Sequence, residues 1–135
     1  MISAIEVIVQ YFKSASLPAN NQVAVKHRYP DPWLPNTAGI VVVPDGGTPN
    51  LYLPVQNLRL EIRCYEANSY LALTLLDQVM ELARATGREQ VIISTGTAML
   101  YNFYQESGPS LLYDEDLNMD FALAFFSAKV NEQLL

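Results

Sequence analysis

The chain is short of the residues that do chemistry. It holds one histidine, His27, among 135 residues, which excludes a metal site built from several imidazoles. It holds one cysteine, Cys64, so no internal disulfide can form, and the setting of that residue on an apolar strand face reads as a packed thiol in a reducing compartment. Charge is sparse as well: 16% of residues are Asp, Glu, Lys or Arg, against 50% hydrophobic. A surface this poor in charge implies that part of it meets another protein. Cations are the scarcer sign, eight against 14 acidic residues for a net charge of −6. That balance argues against a duplex-DNA binder, which must replace counterions with its own cations. No apolar run reaches the roughly 18 residues of a membrane-spanning helix. The first residues lack the basic segment of a secretory signal and carry Glu6 inside their apolar stretch, so assembly in the cytosol is the expectation.

What is present is organised around Leu58 to Gly87. Leu58, Leu60, Ile62 and Cys64 alternate with Arg59, Glu61, Arg63 and Tyr65, a period of two that puts an apolar row on one sheet face and a charged row on the other. Asn68 or Ser69 is placed to cap a helix. From Tyr70 the period becomes helical, with Leu71, Leu75, Val79 and Leu82 on one stripe and Leu73, Leu76, Met80 and Ala83 widening it. Arg84 and Arg88 fall where cations oppose the helix dipole, and Gly87 is the expected left-handed closure. A helix apolar on more than one side is expected to cover the sheet and touch something else.

Around this unit the rest reads as one α+β domain with a mostly antiparallel twisted sheet, packed by an N-terminal helix and this central helix. Ile2 to Lys13 has helical spacing, and Ser3 with Glu6 forms a capping-box pattern. Val23, Val25 and His27 open the sheet. Pro30, Pro32 and Pro35 then impose a stiff loop carrying Trp33 and Leu34, which either folds back as a lid on the core or stands out as an anchor for a partner. Gly39 to Val43 is a strand, Asp45-Gly46-Gly47 a turn extended as far as Asn50, and Leu51 to Leu53 a resumed strand that Pro54 interrupts. Gln90 to Tyr104 is β-rich, with a bulge expected at Gly96. Glu106-Ser107-Gly108-Pro109 is expected to break the run, and Asp114-Glu115-Asp116-Leu117-Asn118 to form an acidic loop. Phe121 to Val130 is apolar on both faces, as a central strand covered on both sides requires.

Nothing here assembles into catalysis. A nucleophile needs a base within reach, and the one imidazole lies in a predicted strand with no G-x-S-x-G elbow to serve. The chain is expected not to be an enzyme and to need no cofactor. Asp114, Asp116, Asn118 and Asp120 alternate like the start of a calcium loop. Its sixth and twelfth positions, however, are Met119 and Phe125 instead of Gly and Glu, so a calcium-binding module is the weaker alternative. The basic residues are scattered, and Arg59 and Arg63 are interrupted by Glu61, which suits a salt-bridged or intersubunit face better than a phosphate track.

Three stretches together resemble the tail terminator (tail-tube capping) proteins of long-tailed bacteriophages. They are the N-terminal helix with its Pro-rich loop and Gly-containing turn, the segment LRLEIRCYEANSYLALTLLDQVMELARATG, and SGPSLLYDEDLNMDFALAFFSAKV, where a Gly-Pro break and an acidic loop precede a final strand. The resemblance implies a homo-oligomer, a hexameric ring. Such a ring would seat on the tail tube at the head-proximal end of the virion tail, end tube polymerisation, and offer a surface to head connector proteins after assembly in the host cytoplasm. DNA would cross its lumen without specific binding, in keeping with an acidic chain, and no membrane would be involved. A closed ring needs two different complementary patches per subunit. The candidates for these are Arg59, Glu61 and Arg63 with the outer side of the helix from Tyr70 to Arg84. Contact with tube or connector is expected at Trp33 and Leu34, at Asp45 to Asn50, and at Asp114, Glu115 and Asp116. A head completion or connector protein of the same virion class is the alternative assignment.

Overall fold

A computed structural model describes residues 4–15, 23–25, 38–49, 55–94 and 96–133. Two helices and six strands follow one another as α1 (Ala4–Ser14), β1 (Val23–Val25), β2 (Gly39–Pro49), β3 (Val55–Glu66), α2 (Ser69–Ala85), β4 (Glu89–Ile93), β5 (Gly96–Asp114) and β6 (Met119–Gln133). The strands form one mixed, curled sheet in the order β1-β2-β3-β6-β5-β4. Every pairing is antiparallel except β1 with β2, so the fold is α+β as the pattern requires. The predicted participation of His27 in the first strand, the resumed strand at Leu51 to Leu53 and the cap at Ser3 lie outside the described residues, as do Trp33, Leu34 and Asn50.

Both helices lie on one face. Ile40, Val42, Leu60, Ile62, Cys64, Ala122, Ala124 and Phe126 supply that face of the sheet, and Val7, Ile8, Phe12, Ala72, Leu75, Leu76 and Val79 close over it. Helix α2 packs on β3, β5 and β6, while α1 packs on β4 and β1. Phe12 meets Phe103 edge-on at 5.9 Å between ring centres, and Phe103 meets Phe126 at 5.5 Å. Each such contact adds about 0.5–1.5 kcal/mol beyond burial alone, and the first of them helps to dock α1, a helix too short to persist by itself. The buried stripe of α2 is Ala72, Leu75, Leu76, Val79 and Ala83, whereas Leu71 is 38% exposed. The burying face is thus rotated from the predicted Leu71–Leu75–Val79–Leu82 stripe.

Asn68 caps α2, its side chain accepting from the Leu71 N–H at 2.9 Å. The other end differs from expectation. Gly87 is not in the left-handed region. Thr86 ends the helix in an extended conformation, donating its N–H to Leu82 and Ala83 carbonyls and its hydroxyl to Leu82 at 2.7 Å. The same hydroxyl lies 2.6 Å from Tyr11 Oη, so one threonine both closes α2 and ties it to α1.

Three other breaks are absorbed within strands. Asp45 and Gly46 are not a turn: Pro44 pairs with Leu60 and Gly47 with Leu58, leaving two residues opposite Arg59 in a bulge, with Gly46 at φ +86°. Gly96 opens β5, paired to Ile93 across a two-residue connection, and is not a kink in one long strand. The expected break at Glu106 to Pro109 also fails, because β5 runs through it with register shifts at Gln105/Ser107 and Ser107/Ser110. Gly108 makes this possible: it sits at φ +111°, and a Cβ there would lie 2.8 Å from Ala124 Cα and Cβ. Only glycine lets β5 pass so close over β6.

Candidate functional site

The sheet face away from the helices carries the predicted charged row, and it is knitted together internally. Val41, Tyr65, Met119, Phe121 and Leu123 form a second, smaller buried cluster there. Beside it the Arg63 guanidinium pairs with Glu61, their side chains only 18% and 16% exposed, and lies 5.1 Å above the Phe121 ring. Burial works against the Arg63 charge, but its hydrogen bonds to Tyr65 and Glu61 outweigh that and hold it more firmly protonated than usual. Tyr65 donates to Asp114 Oδ2 at 2.8 Å. Burial raises the Tyr65 phenol well above its ordinary pKa; Arg63 pulls the other way and Asp114 reinforces the rise. A continuous chain of contacts, Glu61–Arg63–Tyr65–Asp114, thus crosses from β3 to the end of β5.

Asp114 is the pivot of the acidic loop. Its Oδ1 accepts from the N–H groups of Asp116 and Leu117 at 3.0 and 3.1 Å, as Asp does when it caps a turn. With Oδ2 taken by Tyr65, both oxygens are engaged in holding the β5–β6 turn. Glu115 and Asp116 point outward, exposed and with no ion-pair partner among the described residues. Among the described residues no three His, Cys, Asp or Glu side chains gather as metal ligands would.

Lower on the same face, the β2 bulge brings together two residues that the sequence offered separately. Arg59 Nε lies 3.0 Å from Asp45 Oδ2 and 3.6 Å from Glu106 Oε2, and its guanidinium stands 5.5 Å over the Phe125 ring. Glu106 also accepts from Ser127. Glu106 was not singled out by sequence, because the strand was expected to break there. The remaining candidates are not joined to this row. Tyr70 and Arg84 sit near opposite ends of α2, roughly 20 Å apart at 1.5 Å per residue, and α2 covers the other sheet face. Tyr70 is 76% exposed, and Arg84 forms a surface pair with Glu81 at 2.7 Å.

No protein-family model matches the chain, and no curated protein matches it in sequence. The surface itself therefore carries the functional reading. Its most distinctive part is not among the residues predicted from sequence: Leu111, Leu112 and Tyr113 are about half exposed, at the end of β5 beside the acidic turn. Register puts Leu111 and Tyr113 on the helix side, opposite Ala122 and Asp120, and Leu112 on the other, opposite Phe121. Tyr70 and Leu71 are exposed at the start of α2, which follows directly on the β3 end that pairs with Asp120. Three consecutive apolar residues in a strand cannot all face one core; that was the available signal. No described helix is long and apolar enough to cross a membrane.

Proposed function

We propose that this chain is a structural protein that works as a ring of identical copies, capping the tail tube of a long-tailed bacteriophage and presenting a surface to the head connector. The observation that carries the assembly part is the apolar end of the sheet, where Tyr70, Leu71, Leu111, Leu112 and Tyr113 stay exposed. Burying them against another protein recovers hydrophobic free energy that the single chain leaves unused, at about 25 cal/mol per Å². The edge position of β5 supports this, since β4 pairs only with Gly96 to Leu100 and no other described strand pairs with the rest of that edge. The phage assignment rests on the resemblance of the three sequence stretches.

The test is negative-stain microscopy of the purified protein with and without tail-tube protein. Rings alone support assembly; tubes that stop at a ring of this protein support capping. Tubes that elongate unchanged in its presence, together with binding to portal protein, favour the connector assignment instead.

A further inference from the structure

Two charged surfaces lie at opposite ends of β5, and Arg88 in one and Glu115 and Asp116 in the other have no ion-pair partner among the described residues. At one end, the last turn of α2 and the start of the open β5 edge enclose a groove of about 690 Å³ lined by Arg84, Arg88, Tyr101, Asn102 and Tyr104. That volume lies within the range of ordinary clefts, so the groove admits whole side chains. Its floor is shaped by a bulge: Asn102 and Phe103 stand opposite Ala128 alone, with Asn102 at φ +52°. The Arg88 guanidinium rests 5.7 Å from the Tyr101 ring centre and has no carboxylate partner among the described residues; Arg84 has only the exposed Glu81. In a chain with eight cations in all, two in one groove are a concentration of the scarce sign. At the other end, roughly 30 Å away by strand rise, Asp114 fixes a turn that holds out Glu115 and Asp116.

We infer that the acidic turn of one copy seats in the arginine groove of the next, so that Glu115 and Asp116 meet Arg84 and Arg88 head to tail. The inference rests on the ring reading above and names its contact. Charge complementarity selects the occupant, because the same chain supplies both halves and displays them at different places, as a heterologous interface requires. Strand addition along the β5 edge is the competing mode. Three register shifts and Pro109 make that edge a poor template, since bulges and proline are what blunt a strand against pairing. Side chains therefore do the joining. Carboxylates over guanidiniums flanked by tyrosines combine charge-assisted hydrogen bonds with aromatic packing.

The experiment uses two full-length variants, one Glu115→Lys/Asp116→Lys and one Arg84→Glu/Arg88→Glu, followed by light scattering alone and mixed. Each alone should be monomeric at concentrations where the wild type assembles, with association weakened at least tenfold. Mixed in equal amounts they should assemble again, because every junction then pairs opposite charges in alternating order. Circular dichroism melts of each variant confirm folding, and recovery on mixing cannot come from unfolded chains. Assembly of both variants alone, as well as the wild type, would place the contact elsewhere and overturn the inference while leaving the ring reading intact. A wild type that stays monomeric with and without tube protein would overturn both. Assembly that small anions disrupt but charge reversal does not would mark the groove as an anion site and likewise overturn the inference.

Discussion

Gly108 offers the sharpest test of how the long edge strand is held. Replacing it with alanine forces a side chain into φ +111° and sets a methyl 2.8 Å from both Ala124 Cα and Cβ, with the Leu123 carbonyl at 3.1 Å. The backbone part costs about 1–2 kcal/mol, as for other L-residues held at positive φ. The steric part costs about 1–3 kcal/mol, because Ala124 is fully buried in the central strand and cannot step aside without moving β6. Gly108→Ala should therefore lose about 2–5 kcal/mol in urea unfolding, a large share of the roughly 5–15 kcal/mol that holds a small domain folded. Ala124→Gly isolates the share of the steric part that comes from the Ala124 methyl. Alone it destabilises by about 1–2 kcal/mol from lost burial and added chain entropy, but in Gly108→Ala/Ala124→Gly it removes the Cβ contact and leaves the contacts with the residue 124 Cα and the Leu123 carbonyl, together with the φ cost. The double variant should be more stable than the sum of the singles by about 0.5–1.5 kcal/mol, the Cβ share of the steric cost read as a coupling energy. A single-variant loss below about 0.5 kcal/mol, or strictly additive losses, would show that β5 does not pass over Ala124 as described.

Other consequences follow from single groups. Asn68→Ala removes the acceptor for the Leu71 N–H and should cost about 0.5–2 kcal/mol, with Asn68→Ser restoring most of it; equal stability of the two variants would contradict the cap. Tyr65→Phe removes the hydroxyl that holds Asp114. It should cost about 1–2 kcal/mol and speed amide exchange at Asp116 and Leu117, and unchanged exchange there would mean the turn stands without that bond. Burial pushes the Cys64 thiol far above its ordinary 9.0, so the folded chain keeps a proton that the unfolded chain releases. Stability from this group is complete below pH 9 and falls as pH rises past it, by up to about 1.4 kcal/mol per pH unit. Cys64→Ala should flatten the slope between pH 9 and 10, before the tyrosines join in, and an unaltered slope would refute the assignment.

The parts of the fold that were legible in sequence are those where one local rule acts alone. The alternation from Leu58 to Tyr65 needed nothing but the strand period, and the two-faced pattern of Phe121 to Phe126 needed only a sheet with apolar material on both sides, which the two clusters supply. The departures from the local pattern share a cause. Asp45-Gly46, Gly87 and Glu106 to Pro109 are residues that usually end elements, but here the neighbouring strand or helix absorbs the irregularity. A bulge keeps Asp45 in β2, a threonine hydroxyl closes α2, and the absent Cβ of Gly108 carries β5 onward. Whether a Gly-Pro ends a strand depends on what lies 2.8 Å away, and no local pattern encodes that distance. The exposed Leu111, Leu112 and Tyr113 belong to the same case: their run of three apolar residues signals an uncovered face only once β5 is known to continue past Pro109.

The sheet's charged face also changes meaning once its contacts are known. Arg59, Glu61 and Arg63 looked available as a joining surface, yet Glu61 and Arg63 are mostly buried against each other and Phe121, while Arg59 is taken by Asp45, Glu106 and Phe125. Offering Arg63 to another subunit would mean first stripping Glu61 of its partner, which leaves a largely buried carboxylate uncompensated. The face is better placed to transmit than to bind. Through Tyr65 it braces Asp114, and through Asp114 the turn that displays Glu115 and Asp116. In the proposed head-to-tail contact, a turn fixed in advance would lose little entropy on docking, so the internal network would contribute by rigidity, without touching the partner.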